Sequence, residues 1–296
     1  MKFNWLKVSN VMLAVLCCVL AMTSIANADS KTNPDTLRVA LLPDENANTI
    51  IKNNRALQDY LEQRLNKKVQ LIVTTDYSSM IEAMRRGRIE LAYFGPLSFV
   101  LAKSKADIEP FAALVKKGSK TYKSVLIANT ESGINKIEDI KGKTVAFGDP
   151  ASTSSHLIPK SIIAAHGLKI DNKDYKEVFL GAHDAVAVNV QSGNAQAGGL
   201  SYPILQALIK KGVIKEDKVK ILTLSKPFPQ YPWTMQSYLD AGLKEQIKKA
   251  FYELNKNDYA DVLKPFKADG FAPIANEDYQ PVRDLIDLLG LDPSKF

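Results

Sequence analysis

The chain has 296 residues, 39 of them Lys or Arg and 32 Asp or Glu, for a formal net charge of +7. The lysines are scattered, with no basic block and no interleaved aromatics, which argues against nucleic acid as a partner. Its two cysteines, Cys17 and Cys18, stand next to each other near the start, so disulfides and thiol chemistry are excluded from everything that follows.

Lys2 and Lys7 precede an apolar run from Val11 to Leu20, and Ala26-Asn27-Ala28 makes a small-x-small cleavage site. That order reads as a secretory signal over residues 1–28. Leu16 and Cys17 are poor small residues ahead of an acylated cysteine, so a lipoprotein tether is not expected. The two leader lysines taken from +7 leave +5 for the exported chain. A mild positive field of that kind draws small anions towards a cleft. No later stretch approaches the roughly 20 apolar residues of a membrane helix. An exported domain without disulfides must be stable from its core alone, and this length permits it.

From residue 36 the pattern alternates. Leu37 to Leu42 is a short apolar strand ending at Pro43-Asp44. Ile50, Ile51, Leu57, Tyr60, Leu61 and Leu65 recur at helical spacing. Val69 to Val73 is the next strand, Tyr77 to Arg86 a helix stopped by Gly87, and Ile89 to Phe94 a strand broken by Gly95-Pro96. The pattern restarts with strands at Ser124 to Ala128 and Thr144 to Phe147, then at Glu177 to Leu180 and Ala195 to Leu200. Val219 to Leu224 leads back towards the first half, and the tail from Leu239 reads as helical, punctuated by Pro265 and Pro273. Strands alternating with helices imply an α/β fold with mixed, mostly parallel sheets. In such sheets ligands bind beyond the carboxyl ends of strands. That rule points at Asp44, Asp76-Tyr77, Tyr93, the Gly148 turn, His183 and Ser201.

The most informative stretch is Phe147-Gly148-Asp149-Pro150-Ala151-Ser152-Thr153-Ser154-Ser155-His156. A strand ends at Gly148, Asp149-Pro150 forces a turn, and a helix starts within the Ser/Thr run. A helix start leaves its first N–H groups free and carries partial positive charge, so with added hydroxyls it can hold a tetrahedral oxyanion without a lysine or arginine. Ordinary N-capping is the competing reading. Capping needs one hydroxyl and here there are four. The G-x-x-x-x-G-K-[ST] and G-x-G-x-x-G patterns are both absent, which argues against ATP and NAD. His183, between a strand and a helix, could donate to an anion and gain charge in doing so; an exposed loop histidine is the alternative. His156 and His166 read as structural or surface groups, and the three histidines lack metal-ligand spacing, so no metal and no cofactor are expected. Tyr77 and Tyr122 fall at element boundaries, where a tyrosine brings a donor on a rigid apolar ring; plain packing is the other reading for any of the eleven tyrosines.

These segments together resemble the periplasmic substrate-binding proteins of phosphonate and phosphite ABC transporters. The likeness is carried by Asp76-Tyr77, by Leu91-Ala92-Tyr93-Phe94-Gly95-Pro96-Leu97-Ser98 and by Tyr122-Lys123-Ser124-Val125-Leu126. It continues in Gly148-Asp149-Pro150-Ala151-Ser152-Thr153-Ser154, its most specific segment, and in Gly181-Ala182-His183-Asp184-Ala185. The resemblance implies a two-lobed binding-protein fold of type II with two hinge crossings, lobe 1 being residues 31–121 plus 228–296 and lobe 2 residues 122–227. It implies that Tyr77, Tyr122, Ser152, Thr153, Ser154 and His183 hold the phosphorus-bound oxygens.

Members of the family that bind aminoalkyl phosphonates place acidic residues where this chain has Tyr202-Pro203 and Pro229-Gln230-Tyr231-Pro232-Trp233, neither of which contains a carboxylate. An ammonium desolvated there would lack a partner. A drier pocket with Tyr93, Tyr202, Tyr231 and Trp233 in its second tier favours phosphite or methylphosphonate over 2-aminoethylphosphonate. The expected protein is a periplasmic monomer that closes over a small phosphorus oxyanion and delivers it to an inner-membrane ABC permease. Phosphate or another oxyanion, or a ligand sensor on the same scaffold, are the alternatives. Ser154, His183 and Asp184 could be imagined as a catalytic set, but no G-x-S-x-G elbow is present and an enzyme is not expected.

Overall fold

The computed structural model describes residues 31–295, so the secretory segment expected over 1–28 lies outside the described residues. The chain forms two sheets. The first contains β1 (Thr36–Leu41), β2 (Lys68–Val73), β3 (Leu91–Tyr93), β4 (Ile108–Val115), β12 (Pro232–Gln236) and β13 (Gly270–Pro273), in the order β13-β4-β12-β3-β1-β2. The second contains β6 (Ser124–Asn129), β7 (Thr144–Phe147), β8 (Lys176–Phe179), β9 (Ala197–Ser201) and β10 (Val219–Leu224), in the order β10-β6-β9-β7-β8. A two-stranded ribbon of β5 (Thr121–Tyr122) and β11 (Phe228–Pro229) lies where the chain passes between them. Beside the ribbon, Ser225 Oγ accepts the N–H of Ser124 (2.9 Å) and ties the outgoing and returning strands together.

Both sheets are mixed. β1 pairs in parallel with β2 and β3, and β7 with β8 and β9. The other five pairings in the two sheets are antiparallel, so parallel order holds only in those halves. Val219–Leu224 is the edge of the second sheet, antiparallel to β6, and the return to the first lobe follows it. The tail is not wholly helical: Gly270–Pro273 adds to the first sheet beside β4. Pro273 ends an edge strand there and costs the sheet no interior ladder bond.

The helices are α1 (Ala47–Leu65), α2 (Tyr77–Arg85), α3 (Pro96–Lys103), α4 (Ile158–Ala165), α5 (His183–Gln191), α6 (Tyr202–Lys210), α7 (Ala241–Tyr252), α8 (Ala260–Leu263) and α9 (Gln280–Leu288). Local chemistry sets their ends. Asn46 caps α1 by accepting from the N–H groups of Asn48 and Thr49, and Asn66 closes it in the left-handed conformation. Asp76 caps α2 on the N–H of Ser79 (2.6 Å).

Each sheet is buried on both faces. Leu37, Val39 and Leu41 of β1 point into one apolar cluster, and Ala40 with the following Leu42 into another. Val125 and Ile127 of β6 are separated in the same way from Leu126 and Ala128. That is why these strands read as continuous apolar runs. Ala151 and Leu157 of the second lobe pack into one cluster with Tyr77 and Leu97 of the first, so the lobes share a buried contact at the turn after β7.

Candidate functional site

That turn is held open by glycine and closed by serine. Gly148 N–H donates to Ser155 Oγ (2.9 Å), and a Cβ at residue 148 would lie 2.8 Å from that oxygen. Ser155 Oγ donates in turn to the carbonyl of Gly199 in β9. Asp149 folds back, its Oδ1 accepting from Ala151 N–H (2.7 Å), and Ser152 Oγ accepts from Ser155 N–H (3.1 Å) as the cap of the next helix. The helix opens as a π-turn over Thr153–Leu157, with Leu157 N–H reaching Ser152 O (3.0 Å), and then continues as α4. Single π-turns of this kind are concentrated at functional sites. Ser124 Oγ bonds the carbonyl of Ser154 (2.6 Å) and fixes that residue's orientation.

Hydrogen bonds across the cleft meet at this turn. Asp149 Oδ2 accepts from Tyr77 N–H at the start of α2 (3.2 Å), and Thr153 Oγ1 accepts from Leu97 N–H at the start of α3 (2.7 Å). Asp44 O accepts from His183 N–H at the start of α5 (2.9 Å). Ser152 and Thr153 thus both accept from backbone, which leaves their hydroxyl protons to donate elsewhere. Ser154 Oγ, Tyr77 OH and Tyr122 OH are buried and have no hydrogen-bond partner. Tyr77 OH lies near Ser152, and Tyr122 OH near Thr153 and Ser154. Burial pushes both phenols above their ordinary range, so they stay protonated and act as donors.

His183 is fully buried, and its Nδ1 accepts from Ser201 N–H (2.9 Å). The proton of the neutral ring therefore sits on Nε2, which is buried without a partner. Burial pushes its pKa down to about 3, so the side chain donates as a neutral imidazole. Burial is the whole cause of that shift, and in the ligand-free cleft it leaves the ring uncharged. His156 is the structural group expected: buried, bonded through Nδ1 to Pro150 O (2.7 Å), and packed on Phe147 and Phe179. His166 is exposed and pairs with Glu138.

A cavity of about 170 Å³ adjoins the hydroxyl cluster, lined by Asp44, Tyr93 and Tyr231 from one side, by Ser201 and Pro203 from the other and by Tyr122 at the crossing ribbon. The Tyr231 ring stands between those of Tyr93 and Tyr122, with centroids 5.4 and 5.2 Å away. Of the four second-tier aromatics, Tyr93 and Tyr231 reach the cavity. Trp233 is 1% exposed and packs into the first lobe's core between Tyr93 and Phe251, while Tyr202 packs against the core of the second lobe.

Sequence reasoning gave no chemical role to the charged groups of the cavity, Asp44, Glu45, Lys116 and Lys267. Lys116, its pKa pushed down to about 8 by burial and by Lys267, lines the cavity in a site expected to work without lysine. Asp44, among the strand-end positions where ligand was expected but given no chemical role, brings its carboxyl to the Tyr231 hydroxyl, so the missing-carboxylate argument holds for the two segments it named but not for the space they enclose. Burial, with help from Glu45, pushes the Asp44 pKa up to about 8 and holds the group as a neutral acid at neutral pH.

Among the described residues no cluster of His, Cys, Asp and Glu could hold a metal ion, and no helix is long and apolar enough to cross a membrane. The arrangement suits non-covalent capture of an oxyanion by neutral donors.

The family profile described as ABC transporter, phosphonate, periplasmic substrate-binding protein matches residues 39–279. The chain is 26% identical to the phosphate-import protein PhnD of Mycolicibacterium smegmatis, over 95% of this chain and 96% of that one. It is 30% identical to the phosphonates-binding periplasmic protein of Escherichia coli, over 77% of this chain and 69% of that one. Its fold superposes on that of PhnD1 from Prochlorococcus marinus, solved with methylphosphonate, with a TM-score of 0.80 and 24% identity over 87% and 99% of the two chains. With the alternating strands, the two lobes and the hydroxyl-lined cleft already in hand, the profile match over most of its length places this chain in the family of periplasmic substrate-binding proteins of phosphonate ABC transporters.

Proposed function

We propose that this protein binds phosphite or a small phosphonate such as methylphosphonate in the cleft and presents it to an inner-membrane ABC permease. One observation carries the reading: Tyr77 OH, Tyr122 OH, Ser154 Oγ and His183 Nε2 are all buried donors without a protein partner. An unpaired buried donor costs about 1–3 kcal/mol, and a bound oxyanion relieves several of them at once. Ser152 and Thr153 add hydroxyl protons from the helix start. The reading takes Tyr77, Tyr122, Ser152, Thr153, Ser154 and His183 as the ligand-binding set, with Tyr93 and Tyr231 closing the pocket. The division into lobe 1 (31–121 plus 228–296) and lobe 2 (122–227) is supported by the membership of the two sheets. Residues 1–28 act as the export signal, and the protein works in the periplasm as a monomer.

A second reading, phosphate, is favoured by the likeness to the phosphate-import protein of Mycolicibacterium smegmatis. Titration calorimetry with phosphite, methylphosphonate, 2-aminoethylphosphonate and phosphate separates the two. Tight binding of phosphite or methylphosphonate with weak binding of the others is the expected result. Phosphate bound most tightly would overturn the choice of ligand. Unchanged affinity in the double variant Ser152→Ala, Thr153→Ala would sink the site assignment.

A further inference from the structure

We propose that the Asp44 carboxyl is the proton partner of the bound oxyanion, the two holding one hydrogen between them, so that the cleft selects its ligand by protonation state. The proposal rests on the reading of this cleft as a phosphorus-oxyanion site. Its basis is the placement of Asp44. The residue follows β1, its carbonyl is fixed to the second lobe by His183 N–H (2.9 Å), and it lines the cavity beside Tyr93, Tyr122 and Tyr231. The unpartnered groups of the cluster, three hydroxyls and an imidazole N–H, can all donate. Asp44 and Glu45 are the carboxyls that line the cavity, and Asp44 is the one set against the Tyr231 hydroxyl, able to accept a hydrogen from the ligand or, when protonated, to donate one.

No lysine or arginine is among the groups that shift the proton affinity of Asp44. Glu45 on its own segment and Asp184 on α5 both raise its hold on a proton, and the Tyr231 hydroxyl opposes them. Asp44 acts in turn on Tyr77, Tyr93 and Tyr122, and His183 is neutral. Lys211 acts on Glu45, and Lys116 and Lys267 line the same cavity. A bare carboxylate beside a dianion is strongly repelled in such a place. The interaction becomes favourable only when an O–H···O bond joins the two. A monoanionic ligand brings its own acidic hydrogen. A dianionic ligand is met by protonated Asp44, the proton coming from solvent. Burial has already raised the Asp44 pKa to about 8, which makes that proton available at neutral pH.

The test is calorimetry of methylphosphonate binding across pH, in pairs of buffers with different ionisation enthalpies. Wild-type affinity is expected to fall about tenfold for each pH unit above about 8, and near about pH 9 binding is expected to take up about one proton. Asp44→Asn, verified as folded by its melting curve, should lose both the slope and the uptake. Tyr231→Phe removes a hydroxyl that favours the ionised carboxyl, so it should move the falling limb to higher pH. Hypophosphite, which has no acidic hydrogen in this range, should bind wild type with the same limb, since Asp44 then supplies the proton. A slope and uptake unchanged in Asp44→Asn would overturn this proposal and leave the functional reading standing. Selective loss of 2-aminoethylphosphonate in Asp44→Asn, without proton uptake in wild type, would make Asp44 a cation partner and overturn it as well. No binding of methylphosphonate to wild type at any pH would overturn the functional reading, and this proposal with it.

Discussion

Two neighbouring serines offer the sharpest separation of binding from folding. Ser154 is 1% exposed and its Oγ has no protein partner, whereas Ser155 is fully buried and its Oγ is bonded to Gly148 N–H and Gly199 O. Replacing Ser154 by Ala removes no hydrogen bond from the protein itself, so the melting temperature should hold or rise slightly. It removes one donor to a charged ligand, worth about 1.5–3 kcal/mol, which weakens affinity by roughly 10- to 150-fold. Replacing Ser155 by Ala strips the buried carbonyl of Gly199 of this donor and takes an acceptor from Gly148. The cost is about 1–3 kcal/mol of stability, or roughly 2–10 °C in melting temperature for a chain of this size. Gly148 N–H keeps a bond to Ser155 O, which holds the cost towards the lower end. Thermal unfolding and calorimetry on both variants decide the matter. A Ser154→Ala protein with wild-type affinity, or one that melts as early as Ser155→Ala, would refute the reasoning.

Other consequences are separable by assay. Tyr77→Phe removes a hydroxyl that is buried without a partner, so the variant should melt no lower than wild type while its affinity for methylphosphonate drops about tenfold or more by calorimetry. His156 and His183 have their pKa values pushed down by burial to about 4 and about 3, so their imidazole NMR resonances should not move between about pH 5 and 8, and affinity should show no histidine limb there. Asp44 has the opposite sign for stability. Its pKa is raised from 3.8 to about 8, so the unfolded chain releases the proton above 3.8 while the folded chain keeps it, and stability from this residue falls as pH rises between the two. Asp44→Asn should therefore be more stable than wild type by a few kcal/mol at about pH 8 in denaturant titrations, and the gap should close near about pH 4.

The Ser/Thr helix start was legible because its groups lie in one contiguous run. A strand, a Gly-Asp-Pro turn and four hydroxyls in a row fix local geometry by rules that need no distant partner. What was not legible depends on tertiary neighbours. Tyr231 and Trp233 are two residues apart, yet one lines the cavity and the other enters the core, beside a register shift between Trp233 and Thr234 where β12 meets β4. Gly270–Pro273 has poor strand chemistry and becomes a strand only by pairing with β4. The charge state of His183 is set by its burial and by Ser201 N–H, neither visible in Gly-Ala-His-Asp. Asp44 was legible as a position facing the ligand, but its nearness to Tyr231 joins segments far apart in the chain and was not.

The cleft handles anionic charge through helix ends. Helices α2, α3, α5 and α6 and the π-turn ahead of α4 begin at residues 77, 96, 183, 202 and 153, each just beyond a strand or its connecting turn. Their free N–H groups supply positive potential without a salt bridge. Three of those N–H groups, on Tyr77, Leu97 and His183, are spent on acceptors in the opposite lobe. One of these acceptors, Thr153 Oγ1, still has a proton to give. In the proposed complex, accepting from Leu97 N–H polarises the Thr153 hydroxyl and strengthens its donation to the ligand. The ligand in turn strengthens the bond between the lobes. Closure and binding then draw on one hydrogen-bond network, whose donors at the helix start are neutral hydroxyls while the cations, Lys116 and Lys267, stand on the wall of the adjoining cavity.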